Sequence, residues 1–167
     1  ANGAWHAMGV MLSCGGAIKW ARDAFFSDVS IQEFGDMAAQ SPCGCDGVTF
    51  LPYLSGVGCP HYDPEARGAL VGLSTMHTRG HIARAVLEGV SFGLRGCFEK
   101  MGCEANEVRV SGGGAKSAFW AQMLADVLHV RCVRLAADEG PAFGAAILAG
   151  VGSGIWADVE SATRSVV

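Results

Sequence analysis

The 167 residues of this chain suffice for one domain, and half of them are hydrophobic, so a substantial core can form. The formal net charge of −4, without any Lys/Arg block, argues against a nucleic-acid or anionic-membrane surface. No apolar run reaches the roughly 18 residues of a membrane span, and the N-terminus does not resemble a signal peptide. Because the chain starts at Ala1 and runs straight into Trp5 and His6, we expect it to be part of a longer cytoplasmic polypeptide.

The seven cysteines are an odd number, and they form no C-x-x-C pair. A disulfide framework or a zinc site is the alternative, but we predict that all seven are free thiols. The five histidines are dispersed and show no metal-ligand spacing, so we predict no metal site formed by side chains of this chain.

The first third of the chain carries two predicted helices. A helix is predicted over 16–26, because its apolar residues follow helical spacing: Ile18, Trp20, Ala21, Ala24 and Phe25. Ser30 followed three residues later by Glu33 is a capping-box pattern, which predicts a second helix over 30–39.

The middle of the chain combines two strands with a long helix. Buried strands are predicted over 48–54 and 68–73, separated by a Gly- and Pro-rich loop over 55–64. A helix over 78–101 carries an apolar stripe formed by Ile82, Val86, Val90, Leu94, Cys97 and Phe98. Three glycines within it cost about 1 kcal/mol each relative to alanine. We therefore expect close packing of another element at Gly89, Gly93 and Gly96.

The last third alternates strands and helices. Strands are predicted over 108–110 and 131–135, and helices from the N-cap residue Ser117 and over 140–149. The first of these helices has a core face formed by Trp120, Met123, Leu124, Val127 and Leu128. This alternation predicts an α/β sheet with helices packed on it.

Three consecutive glycines, Gly112 to Gly114, lie between a predicted strand and a predicted helix. They form either a tight turn alone or a bare backbone that a ligand can approach, since a helix N-terminus attracts phosphate. Gly15-Gly16 and Gly140-Pro141 open two further helices. The three openings converge on one ligand or reflect a crowded interface between sheet and helices; the glycines do not decide between these.

The segment over 60–95 resembles the C-terminal domain of the FGGY carbohydrate kinases. Every position of that family's second signature is matched, by Gly68, Leu70, Gly72, Leu73, His81, Ile82, Ala85, Val86, Leu87 and Glu88. Two further motifs look most like the xylulose kinases of the family, P-H-x-D-P-x-A-R-G at 60–68 and G-G-G-A-K-S at 112–117. The resemblance covers nearly the whole chain, from Trp5 to about Gly150.

The resemblance implies an actin-like, ribonuclease-H-like α/β domain with a mixed sheet. It also implies that residues 1–167 are the second, nucleotide-binding domain of a two-domain kinase whose N-terminal sugar-binding domain is absent from this chain. Nucleotide-binding positions carry over onto Gly15, Lys19, Gly113, Gly114, Ala115 and Ala118. Lys19 and Ala118 stand where glycerol kinases have polar amides, so backbone contacts are expected there.

The reaction implied is transfer of phosphate from ATP to D-xylulose, with Mg²⁺ as cofactor and the catalytic base in the other domain. We therefore assign no catalytic residue here, and neither Asp126, Asp138 nor Glu139 is given that role. The implied partners are the sugar, ATP and the N-terminal domain, and a homodimer is left open. Alternatives are a kinase for ribulose, gluconate or glycerol, or a non-catalytic actin-like module.

Four polar residues near the signature are interpreted as structural. We expect His61, Asp63 and Arg67 to fix their loop by hydrogen bonds, with Arg67 pairing locally to Asp63. Glu88, inside the long helix, is expected to be a buried partner for a loop backbone.

Overall fold

A computed structural model describes residues 5–102, 104–134 and 140–166. It contains six helices within those ranges: α1 Cys14–Phe25, α2 Ile31–Ala39, α3 Arg79–Met101, α4 Ala118–Leu128, α5 Gly140–Gly152 and α6 Val159–Val166. The predicted capping box of α2 is present, since the Ser30 hydroxyl accepts from the Glu33 amide at 3.2 Å and the Glu33 carboxylate accepts from the Ser30 amide at 2.7 Å.

Helix α3 is the central element, and it packs against α1, α2 and α4 and against the strand Thr49–Leu51. Its predicted apolar stripe is confirmed, because none of those six residues is exposed. The close approaches expected at its glycines are also confirmed. A Cβ at Gly89 would overlap the Phe50 carbonyl, one at Gly93 would press on Met11, and one at Gly96 would press on Pro60.

Four strands form two two-stranded sheets in the described ranges. Strands β1 Thr49–Leu51 and β2 Ala69–Val71 are antiparallel, with Phe50 opposite Leu70. Strands β3 Glu107–Val110 and β4 Arg131–Arg134 are parallel, with Val108 opposite Cys132, and α4 is the crossover between them. The described strands thus form one antiparallel and one parallel pair, in two separate sheets. Leu135, the predicted end of β4, lies outside the described residues.

Two features of the helices go beyond what the sequence predicted. The core face of α1 is formed by Ala17, Ile18 and Ala21, while Trp20 and Phe25 are exposed and pack edge-to-face on each other with ring centroids 5.3 Å apart. Helix α6 was not predicted. It starts after Asp158, whose carboxylate accepts from the Ser161 amide at 2.7 Å, and it packs against α5.

Candidate functional site

A cleft of about 690 Å³ lies between α1, α2 and the start of α4. Its walls are mainly apolar, and α3 contributes Leu87 to them. Such a volume is within the range of small-molecule sites. The lining residues from α1 and α2 are Gly15, Ile18, Lys19, Arg22, Ile31, Gln32, Phe34 and Gly35, and those opposite are Gly113, Gly114, Lys116, Ser117 and Trp120.

The edge opposite α1 is the glycine turn, which we define as residues 112–117. Gly112 has a φ of +85°, a conformation that side chains disfavour, and the turn closes through two backbone hydrogen bonds. The Ala115 amide donates to the Gly112 carbonyl at 3.0 Å, and the Ser117 amide donates to the Gly114 carbonyl at 3.2 Å. The Ser117 hydroxyl then caps α4 by accepting from the Trp120 amide at 3.2 Å.

Gly113 and Gly114 are glycines for different reasons. A Cβ added at Gly113 would meet no atom of the described residues within 4 Å, so among them this residue is open towards the cleft that it lines. A Cβ added at Gly114 would overlap the six-membered ring of Trp120. The described residues therefore require a glycine at 114, whereas none of them requires one at 113.

The α1 edge presents a bare backbone and two cations. Gly15 has open space where a side chain would be. One and two turns later, the ammonium of Lys19 and the guanidinium of Arg22 both pair with Asp23, at 3.4 and 2.7 Å. The Nε of Arg22 is buried and has no hydrogen-bond partner among the described residues.

The described lining of the cleft includes cationic and no anionic side chains, although Asp23, which is not part of the lining, pairs with two of the cations. Lys19, Arg22 and Lys116 line it, and no Asp or Glu belongs to its described lining, although the chain as a whole carries −4. Positive groups on apolar walls, beside unobstructed glycines, favour an anion with an apolar body.

Four of the six predicted site residues line this one cleft: Gly15, Lys19, Gly113 and Gly114. Ala115 and Ala118 do not line it; Ala115 is half-buried in the turn, and Ala118 is exposed as the first residue of α4. Sequence reasoning missed Arg22 and the whole contribution of α2. The spacing of Arg22, three residues after Lys19 and seven after Gly15, places it on the same helical face and could have found it.

Trp120 has two roles where the sequence indicated one. It is a core residue, as predicted, and only 7% of it is exposed. It also lines the cleft beneath the glycine turn.

Glu88 has the role expected of it. Its carboxylate accepts from the Gly44 amide at 3.1 Å and pairs with the Arg84 guanidinium at 2.7 Å, which fixes the 3₁₀ turn Cys43–Gly47 on α3. His77 and His81 approach the same turn, through the Asp46 carbonyl at 3.3 Å and the Asp46 carboxylate at 3.2 Å.

The loop before β2 is also fixed by local hydrogen bonds. Asp63 accepts from the amides of Glu65 and Ala66 at 2.9 and 3.2 Å. Arg67 does not pair with Asp63; it donates to the Pro64 and Ala66 carbonyls and lies 3.7 Å from Glu65, because the Asp63 carboxylate is already engaged by backbone amides. His61 is exposed.

The six cysteines in the described residues are free thiols, in agreement with the prediction for those six, and Cys103 lies outside them. Burial, and then the neighbouring Glu88 carboxylate, raise the pKa of the Cys45 thiol to about 12. Burial and a hydrogen bond with Cys59 raise the pKa of Cys97 to about 12. Among the described residues, no three His, Cys, Asp or Glu side chains are grouped to hold a metal ion.

Residues 1–153 match the C-terminal domain of the FGGY family of carbohydrate kinases. The chain belongs to this family. The FGGY chain is 41% identical, over 98% of its length, to a xylulose kinase from Staphylococcus epidermidis, and 40% identical, over 90%, to a glycerol kinase from Bdellovibrio bacteriovorus. It spans only 34% and 31% of those relatives, so about a third of their length.

Solved structures confirm the actin-like α/β fold of this FGGY domain. A ligand-bound xylulose kinase from Lactobacillus acidophilus matches with a TM-score of 0.83 and 32% identity, over 93% of this chain and 32% of that one. A Plasmodium falciparum glycerol kinase with ADP matches with a TM-score of 0.75 and 28% identity, over 90% and 30%. In the described part of the FGGY chain, no helix has the length and apolar character needed to span a bilayer.

Proposed function

We propose that this FGGY chain binds ATP in the cleft between α1, α2 and the glycine turn, as the nucleotide-binding half of a kinase that phosphorylates D-xylulose. One observation carries the proposal: cationic side chains and open glycines surround an apolar slot, and no carboxylate lines it among the described residues. A purine nucleoside fits apolar walls, and phosphates are attracted by Lys19, Arg22 and Lys116 together with bare backbone amides. The relatives named as kinases support the same conclusion.

The proposed contacts follow the geometry of the cleft. Gly113 and Gly15 let the ligand approach the backbone on opposite edges, and Lys19 and Lys116 offer charge to the phosphates. Ile18, Phe34 and Trp120 supply apolar surface for the base. Phosphoryl transfer depends mainly on positioning and charge neutralisation, so this half of the kinase contributes binding and orientation.

The acceptor side of the reaction is assigned to an N-terminal domain. There, the attacking sugar hydroxyl would give its proton to a carboxylate while its oxygen bonds to the γ-phosphorus and ADP leaves. Asp126 on α4 accepts from Gln122 at 2.8 Å and does not line the cleft, so it is not given this role. Mg²⁺ stays a prediction from the family resemblance. The described lining of the cleft offers no carboxylate to hold it.

Other sugars and polyols are alternative acceptors to D-xylulose, because kinases named for two of them match this chain. A gluconate kinase from Lactobacillus acidophilus matches this fold with a TM-score of 0.81 and 32% identity, and a glycerol kinase relative is 40% identical. The second candidate is therefore a kinase for gluconate, glycerol or another polyol.

The test is a sugar panel with the full-length protein that contains this chain, measuring ADP release. We expect D-xylulose to give the highest kcat/KM with ATP as donor. A higher kcat/KM with gluconate or glycerol would transfer the assignment to that substrate. If the protein binds ATP but phosphorylates none of the panel, the non-catalytic actin-like module becomes the better description.

A further inference from the structure

A buried polar chain links the centre of α3 to the cleft. Ser91 is fully buried, and its hydroxyl donates to the Leu87 carbonyl at 2.8 Å. The same hydroxyl accepts from the indole N–H of Trp120 at 3.0 Å. A serine inside a helix commonly donates to the carbonyl four residues before it, but a second hydrogen bond to an indole is not needed for helix formation. This hydrogen bond fixes the direction of the Trp120 ring.

Trp120 in turn holds the glycine turn at two points. Its backbone amide donates to the Ser117 hydroxyl at 3.2 Å, which closes the C-terminal end of the turn. Its six-membered ring lies directly against Gly114, where a Cβ would overlap Cε3, Cζ3 and Cη2. Because the backbone of Gly114 rests on the ring, a tilt of the indole would displace the turn.

The displaced segment would be the one that faces the ligand. Gly113, Gly114 and Trp120 all line the cleft, whereas Ser91 does not. We propose that Ser91 is a positioning residue for the nucleotide. It acts through the Trp120 indole, which holds the glycine turn in the position that ligand binding requires. This inference rests on the proposed function, since it assumes that the cleft binds a nucleotide.

The opposing explanation is that Ser91 only stabilises the core. Both explanations predict a lower melting temperature for Ser91→Ala, because the indole N–H loses its acceptor. They differ in ligand binding. Pre-organisation of the turn predicts weaker nucleotide binding in the folded variant, whereas a core role predicts the same affinity once the protein is folded.

The chain offers a matched control on the same helix. Cys97 is also a small, buried, hydrogen-bonding residue of α3, and its thiol donates to the Cys59 carbonyl at 3.2 Å. It does not line the cleft. Cys97→Ala therefore removes a comparable buried contact without touching Trp120.

The experiment measures ADP dissociation constants and ATP and sugar KM values for the full-length protein. The variants are Ser91→Ala, Trp120→Phe, their double variant and Cys97→Ala, each at a temperature where it is folded. We expect Ser91→Ala to weaken ADP binding about fivefold, the factor expected for one net hydrogen bond. The KM for ATP should rise while the KM for sugar stays unchanged, and Cys97→Ala should bind ADP like the wild type.

The double variant tests whether Ser91 acts through the indole. Trp120→Phe keeps a ring but loses the N–H donor, so adding Ser91→Ala to it should weaken ADP binding no further. Wild-type ADP affinity in folded Ser91→Ala, or additive losses in the double variant, would overturn the inference and leave the proposed function standing. If Ser91→Ala does not fold, Trp120→Phe alone decides, since unchanged ADP affinity in it contradicts the role of the indole. Failure of the wild type to bind ADP would overturn both proposals.

Discussion

At the scale of single residues, the adjacent glycines Gly113 and Gly114 differ in whether the described residues around them require a glycine. No atom from the described part of the chain lies where a side chain at Gly113 would be, and its backbone conformation is one that other residues adopt. Gly114, by contrast, must be glycine because of Trp120. A substitution at 114 would disturb the core, so position 113 gives the cleaner experiment.

We predict that Gly113→Val raises the KM for ATP about tenfold, the factor that about 1.4 kcal/mol represents, because the new side chain occupies the cleft. The melting temperature should hardly change. Gly16→Val is the matched control, since Gly16 also has open space around it but does not line the cleft. Steady-state kinetics of the full-length protein would check both, and equal ATP kinetics for the two variants would count against a ligand at Gly113.

The thiols give a second prediction at this scale. Alkylation requires the thiolate, and burial together with the Glu88 carboxylate raises the pKa of Cys45 to about 12, so its thiolate fraction at pH 8 is very small. Cys97 has a pKa raised to about 12 as well, whereas Cys43 is exposed. Iodoacetamide at pH 8 should modify Cys43 first and leave Cys45 and Cys97 until the protein unfolds. Peptide mass mapping over time checks the order, and early modification of Cys45 would mean that the turn Cys43–Gly47 opens readily.

At the scale of elements, α3 depends on glycines where alanine would normally be better. A Cβ at Gly89 would overlap the Phe50 carbonyl of β1, whose backbone cannot move away without breaking its pairing with β2. Overpacking of this kind costs about 1–3 kcal/mol, which exceeds the roughly 1 kcal/mol gained in helix propensity.

We therefore predict that Gly89→Ala lowers the free energy of unfolding by up to about 2 kcal/mol, the cost of overpacking less the gain in helix propensity. Gly144→Ala in α5 is the control, because a Cβ there meets nothing within 4 Å and should leave stability unchanged or raise it. Urea unfolding of both variants measures the difference. Stabilisation by Gly89→Ala would show that β1 does not pack on α3 as closely as described.

Local signals predicted these elements well, and tertiary contacts explain where prediction failed. The capping residues Ser30 and Ser117 were identified because capping acts within three residues. Helical spacing predicted α1 but did not tell which of its apolar residues are buried, and Trp20 is exposed beside Phe25. Helix α6 had a usable signal in Asp158 and Ser161 that was not used.

The candidate site was predicted only in part, for the same reason. Gly15, Lys19 and Gly113 came from motifs that carry family resemblance, and the structure brings them to one cleft. The α2 wall was missed because Phe34 and Gly35 belong to no motif and reach the cleft through packing with α3 and α4. Gly114 must be glycine because the Trp120 ring packs against it. This contact between a side chain and the turn is likewise not visible in any local sequence pattern.

At the scale of the whole molecule, the role proposed for the cleft is to bind the nucleotide, not to supply the proton acceptor. No carboxylate lines it among the described residues, so no proton acceptor stands beside the proposed phosphates. We predict that the 167-residue chain alone phosphorylates no sugar. A coupled ADP-release assay with purified chain and D-xylulose, run beside the full-length protein, checks this, and sugar-dependent turnover by the chain alone would contradict the division of labour proposed here.

The central claim is that a nucleotide occupies the cleft between α1, α2 and the glycine turn. Hydrogen–deuterium exchange of the full-length protein, with and without ADP, tests it most directly. Protection by ADP is expected in peptides covering residues 13–22 and 111–120, because these carry the two glycine edges of the cleft. Peptides covering α6, which does not line the cleft, should exchange alike in both samples. ADP binding without protection of either glycine segment would contradict the account.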